Sequence, residues 1–169
     1  MHPLPPLLHN RPERIAGEVR RATEHLRASY PRVVVGYADC GTYGALDEVC
    51  RELGLTRLEG LHCYDVYAGA DRLQRFFEEQ PGTYLLTDFL VRSFTRTVEK
   101  ELGLDRWPML RDDYFGAYTR VLWLAQADTP PNRRAAERAA AAIGLPLEVR
   151  PVGAGALERG LERLVGRAA

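Results

Sequence analysis

The sequence predicts a doubly wound α/β fold, Rossmann-like or flavodoxin-like, with a mainly parallel five-stranded sheet and helices on both faces. Short runs rich in β-branched residues and leucine alternate with segments of helical period. The alternation returns every 20 to 35 residues or so, the rhythm of strand–helix–strand units. Pro, Gly and Asp mark the changes of period, as at Pro81-Gly82 and Asp128-Thr129-Pro130.

Taken in order, residues 1–10 read as an extended N-terminal segment. Arg11 to Ala28 carries Ile15, Val19, Ala22 and Leu26 at helical spacing, with Pro12 in the first turn. Arg32 to Ala38 is a short apolar run suited to a strand buried on both faces. Tyr43 to Leu53 is helical and stops at Gly54, and Leu58 to His62 makes a second strand. A helix over Asp71 to Glu79 ends before Pro81-Gly82, and Thr83 to Thr87 is the third strand. Asp88 can cap a long helix bearing Phe89, Leu90, Phe94, Val98 and Leu102. Trp107 to Tyr118 is irregular or weakly helical, with an apolar patch at Trp107-Pro108-Met109-Leu110 suited to a homodimer contact. Val121 to Ala125, an alanine-rich helix over Asn132 to Ile143, a strand over Leu147 to Val152 and a last helix with Leu157, Leu161, Leu164 and Val165 complete a single α/β domain over residues 1–169.

Composition narrows the function. Twenty-three Lys and Arg balance 23 Asp and Glu, and no basic stripe gathers on one segment, which argues against nucleic acid as a partner. No apolar run approaches a membrane span, and the start lacks the pattern of a secretory signal, so a cytoplasmic location is expected. Three cysteines in a reducing compartment point to packing, catalysis or metal binding rather than to a disulfide framework.

In a parallel sheet every strand-to-helix loop emerges at the carboxyl edge, where ligands bind. Asp39-Cys40-Gly41-Thr42, His62-Cys63-Tyr64-Asp65, Thr87-Asp88 and Gln126-Ala127-Asp128 all fall on that edge. Cys40 sits in a turn bracketed by Gly41 and Gly44, where the N-terminus of the following helix would point at it and favour the thiolate. Cys63 stands at the second corner, and the two sulfurs are expected to face one cleft. His62 is its neighbour and shares that centre only if the chain bends there. Asp88 reads first as a helix cap, Asp65 and Asp128 as turn residues, and Cys50 as a small buried hydrophobe beside Leu46, Val49 and Leu53. Asp39, Gly41, Thr42, Tyr64 and Asp88 are the residues placed to touch a cofactor, and Cys40, Cys63 and His62 those placed to ligate a metal. The glycines match neither G-x-G-x-x-G nor G-x-x-x-x-G-K-[ST], and the cysteines form no C-x-x-C pair.

The segments LHNRPERI, YADCGTYGALD, LHCYDVYAGA, PGTYLLTDFL and DDYFGAYTRVLWLAQ resemble, in order and spacing, the uncharacterised prokaryotic family known as domain of unknown function 1638. The resemblance covers nearly the whole chain and implies an α/β fold, with the Y-x-x-C-G turn and the second cysteine corner as the paired site. It also implies a further strand with a cysteine and glycine ahead of the LHNRPE-like segment, which this chain is expected to lack. Either the chain begins late, or His62, His9 or water substitutes for the missing ligand, or the site needs no third, and the uncovered sheet edge would accept a protein partner or a second copy.

Three functions compete. The first is a metal- or metallocofactor-binding accessory protein holding zinc, copper(I), iron–sulfur or a cobalt cofactor through Cys40 and Cys63, linked by the resemblance to methyl-transfer or metallocofactor metabolism. The second is a thiol enzyme with Cys40 as nucleophile, supported by Asp39, His62 or Cys63. The third is a non-catalytic α/β binding module whose cysteines are structural.

Overall fold

The computed structural model describes residues 1–167. The chain divides into two compact units, one formed by Met1–Val66 with the segment from Gly155 onward and the other by Tyr67–Ala154.

In the first unit Leu8, Ile15, Val19, Val35, Leu46, Val49 and Cys50 bury one another. Helix α1 (Ile15–Arg27) contributes Ile15, Val19 and Thr23, a stripe spaced by four residues. The helix expected from Arg11 starts later, because Pro12 opens a separate 3-10 turn over Pro12–Arg14. The N-terminal segment, expected to be extended, winds into a 3-10 helix at Pro6–Asn10, where Pro6 presets the first turn. Helix α2 (Ala45–Glu52) buries Leu46, Val49 and Cys50. A short helix α3 (Cys63–Ala68), which the sequence reading missed, follows the second cysteine corner.

The two strands expected in this part of the chain are reduced to a single parallel bridge, Val35↔Arg57. Val35 N–H donates to Thr56 O at 2.9 Å, and Leu58 N–H to Val35 O at 3.0 Å. The next rung of a parallel ladder would run from Tyr37 N–H to Leu58 O. The Arg57 guanidinium occupies that carbonyl, with Nη1 at 2.7 Å from Leu58 O. Pairing resumes two residues on, where Asp39 N–H meets Gly60 O at 3.1 Å and Cys40 N–H meets Leu61 O at 2.8 Å.

The second unit opens with helix α4 (Ala70–Glu79) and holds a three-stranded parallel sheet rather than five strands. Strands β1 (Thr83–Thr87), β2 (Arg120–Ala125) and β3 (Leu147–Pro151) lie in sequence order, with Leu85 paired to Leu122 and Trp123 to Val149. Val121, Leu122, Trp123 and Leu124 are wholly buried, as a central strand requires. Helix α5 (Asp88–Phe94) is shorter than the long helix expected to Leu102, and its cap is Thr87, whose Oγ1 accepts from Leu90 N–H. A π-helical turn over Thr95–Glu99 follows, where Ser93 and Thr97 hydroxyls donate back to the carbonyls of Phe89 and Ser93. Helix α6 (Leu110–Phe115) is a short helix within the stretch expected to be irregular or weakly helical, leaving Trp107 and Met109 exposed. Helix α7 (Pro130–Ile143) is capped by Thr129 and closed by Gly144 in the left-handed conformation. In the first unit's later segment, helix α8 (Gly155–Arg167) buries Leu164 of its apolar stripe while Leu161 and Val165 are exposed. No helix among the described residues is long and apolar enough to cross a membrane.

Candidate functional site

Two cysteine corners, both in the first unit, build the site. At the first, Cys40 and Tyr43 take φ of 50° and 51°, beside Gly41 at 83° and Gly44 at 90°. Side chains rarely adopt the left-handed region, and a run of such residues turns successive N–H groups toward one point. The Asp39 carboxylate fills that point. It accepts from the Thr42 hydroxyl at 2.5 Å and from the amides of Tyr43 and Gly44 at 3.2 Å each. Burial pushes the Asp39 carboxyl up, but these bonds outweigh it and hold it below the usual carboxylate range. Thr42 in turn accepts from Leu46 N–H in the first turn of α2.

The second corner repeats the device. Asp65 accepts from Leu61 N–H at 2.9 Å and His62 N–H at 3.0 Å, and Asp65 N–H returns to His62 O. This fixes the bend from the extended segment into α3, and Cys63 becomes that helix's first residue. The bend turns Cys63 toward Cys40, while His62 remains exposed.

Both site cysteines are free and half-buried, and each is the largest influence on the ionisation of the other. Hydrogen bonding from the Cys63 thiol, joined by the Cys63 amide, lowers the Cys40 thiol below its ordinary range against burial and the Asp39 charge. The same contact, with burial and the charge on Cys40, raises Cys63. The two shifts run in opposite directions, so the pair ionises more readily at Cys40 than at Cys63. The amide reaching Cys40 belongs to Cys63, not to the N-terminus of α2 as expected, because Asp39 and Thr42 engage the leading amides of that helix. Tyr37, absent from the sequence-predicted set, packs beside Cys40, and burial together with both sulfurs pushes its phenol up to about 12. The first position of the Y-x-x-C-G turn was the signal that could have found it.

The remaining candidates sort by what engages them. Asp39 and Thr42 hold the turn, and Gly41 supplies a left-handed residue against Pro12. Tyr64 lends its amide to Cys63. Among the described residues no three His, Cys, Asp or Glu side chains are gathered to hold a metal ion, so neither His62 nor His9 joins the pair. Cys50 is buried among leucines and valines, and burial raises its thiol. Asp88, in the second unit, does not cap α5 with its side chain, since Thr87 does so. Its buried carboxylate accepts from Trp123 Nε1, the amides of Gln126 and Ala127, and Asn132 Nδ2. A shallow groove of about 360 Å³ beside the second corner is lined by Asp47, Arg57 and the segment Leu58 to Leu61, but Arg57 is held by Asp47 at 2.6 and 3.0 Å.

A family model described as a protein of unknown function (DUF1638) matches residues 3–161. The chain belongs to the DUF1638 family. No curated protein and no solved structure matches it. In this DUF1638 chain the Y-x-x-C-G turn is the Cys40 corner, and the second cysteine corner is Cys63.

Proposed function

We propose that the protein acts through a thiol centre in which Cys40 is the nucleophilic thiolate and Cys63 the donor that stabilises it. One observation carries this reading: the Cys40 N–H to Leu61 O bond sets the Cys63 corner beside Cys40, and Cys63 is the largest influence lowering the Cys40 thiol. A thiolate of this kind attacks soft electrophiles, and the two aspartate-held corners keep it in place. The reducing environment of the cytoplasm would preserve both sulfurs as thiols.

A second reading, metal binding, draws support from the influence of each thiol on the other's ionisation. Two thiolates without a third protein ligand suit copper(I), which accepts low coordination, whereas zinc, iron–sulfur or a cobalt cofactor would need ligands from another molecule. Such a half-open site fits an accessory protein that passes its metal on.

Iodoacetamide alkylation followed across pH by peptide mass mapping tests the first reading. Because the Cys40 thiol lies below its ordinary value, Cys40 should be modified with a midpoint below about 8.5, and Cys63→Ala, which removes the neighbouring donor, should move that midpoint upward. Cys50 should stay unreactive. A Cys40 midpoint at or above that of a free cysteine would overturn the proposal. Anaerobic titration of the same protein with copper(I) against a chelator tests the second, which needs one equivalent bound and loss of binding in either single cysteine variant.

A further inference from the structure

We propose that Cys40 and Cys63 form an exchange couple for disulfides of low-molecular-weight thiols, with Cys40 the attacking sulfur and Cys63 the resolving one. This rests on the reading of Cys40 as the nucleophile and adds a substrate class and a second step.

The geometry supplies both steps. Cys40 N–H bonds to Leu61 O at 2.8 Å, which pins the first corner two residues before Cys63. The bend held by Asp65 then places Cys63 two residues beyond the backbone bond to Cys40, near enough for each thiol to shift the other's ionisation. A resolving thiol must lie within reach of the sulfur it attacks without a large backbone movement, and two corners joined by that bond are placed for it. Both sulfurs are half-buried, so the incoming disulfide has to be small and flexible enough to present a sulfur in the cleft.

The reaction balances. The Cys40 thiolate attacks one sulfur of R–S–S–R, a Cys40–S–S–R bond forms, and RS⁻ leaves and takes a proton from water. Cys40 is now neutral and no longer holds the Cys63 proton by accepting a charge-assisted bond. Cys63 loses that proton to solvent and attacks the Cys40 sulfur. The internal Cys40–S–S–Cys63 bond forms and the second RS⁻ departs. Two protein thiols are oxidised by two electrons, and one small disulfide is reduced to two thiols. The reverse sequence, driven by excess small thiol, restores the pair.

The order of attack follows from the two shifts. The shift runs down for Cys40 and up for Cys63, so Cys40 is the sulfur that ionises more readily, and the Cys63 thiol is freed of the charge that raises it once Cys40 is bonded to R–S. Cys50 is excluded from the couple by its burial in the core.

The test uses the reduced full-length chain and oxidised glutathione under nitrogen, read by intact mass and peptide mapping. The wild-type protein should lose two hydrogens and yield a linked Cys40–Cys63 peptide. Cys63→Ser should trap one glutathione on Cys40, and Cys40→Ser should react more slowly by at least about tenfold. Cys63→Ala replaces the serine variant should the latter fail to fold. A stable glutathione adduct on the wild type, or a Cys40→Ser variant that reacts as fast as wild type, overturns the couple. If Cys40 alkylates below pH 8 or so yet no internal disulfide forms, the couple fails and the nucleophile reading stands. If Cys40 is inert to both reagents, both fail.

Discussion

Replacing Asp88 by asparagine should lower stability by about 3 kcal/mol, and the figure follows from its four donors. Asp88 is 6% exposed. One carboxylate oxygen accepts from Trp123 Nε1 at 2.9 Å and Gln126 N–H at 3.2 Å. The other accepts from Ala127 N–H at 2.9 Å and Asn132 Nδ2 at 3.4 Å. Asparagine keeps the shape but turns one oxygen into an NH2 group, which cannot accept. Whichever way the amide lies, one backbone N–H and one side-chain donor lose their acceptor, at about 1–3 kcal/mol each. The two surviving bonds lose their charge assistance. A rotation of the Asn132 amide would relieve one clash, but it would break the 2.9 Å bond from Asn132 Nδ2 to Ala127 O. The two losses sum to about 2–6 kcal/mol, and partial relaxation brings them to the lower half of that range, about 3 kcal/mol. Urea denaturation measures it, with an unchanged m-value showing that the unfolding reaction is the same. A loss below about 1 kcal/mol would refute the structural role and leave Asp88 available to a ligand, as the sequence reading had it.

Arg120→Met removes three engaged donors, Nε to Thr83 Oγ1, Nη1 to Glu148 and Nη2 to Phe76 O, from a side chain that is 4% exposed. Phe76 O still accepts from Gln80 N–H and Glu148 still pairs with Arg150, so the expected cost in thermal denaturation is about 2 kcal/mol rather than the 3–5 of a stranded buried charge. No loss at all would mean that burying the guanidinium offsets its three bonds. Tyr43→Gly should raise stability by up to about 1 kcal/mol, because the residue holds φ of 51° while its side chain is 95% exposed. A lowered melting temperature would show that the tyrosine ring makes a stabilising contact.

How much of this was legible in the sequence depends on how local each signal was. Thr83–Thr87 emerges with the bounds expected, because Pro81-Gly82 precedes it and a capping threonine ends it. Strands β2 and β3 fall within one residue of expectation for similar reasons. The runs VVVGY and RLEGL carry the same apolar signal but not the same outcome. Their ladder is broken by the Arg57 side chain, a competitor that no period of hydrophobicity reports. Helix α3 was hidden because its start is fixed by a carboxylate three residues into the bend. Asp88 was misread by one position as a cap, since Thr87 and Asp88 both have capping chemistry and Trp123, far along the chain, decides which is buried. The cysteine corners are placed by local signals, glycines and strand ends, while a role for the pair is a proposal. The opposite directions in which the two thiols shift each other were not legible, since they depend on two segments meeting.

Those directions are set by what the neighbouring oxygens take first. Carboxylates are stronger acceptors than thiolates, and Asp39 and Asp65 capture the turn amides at both corners, Tyr43 and Gly44 at one and Leu61 and His62 at the other. An anionic ligand such as phosphate would have to displace Asp39 to use the first turn, so the glycine-bracketed loop is closed to the phosphate cradling that its shape suggests. The Cys40 thiolate is left to draw its stabilisation from the Cys63 thiol and amide, against the charge of Asp39 beside it. The charge on one sulfur is thus tied to the proton on the other. Any reagent that consumes the charge on Cys40, whether an electrophile or a soft cation, also loosens the proton on Cys63.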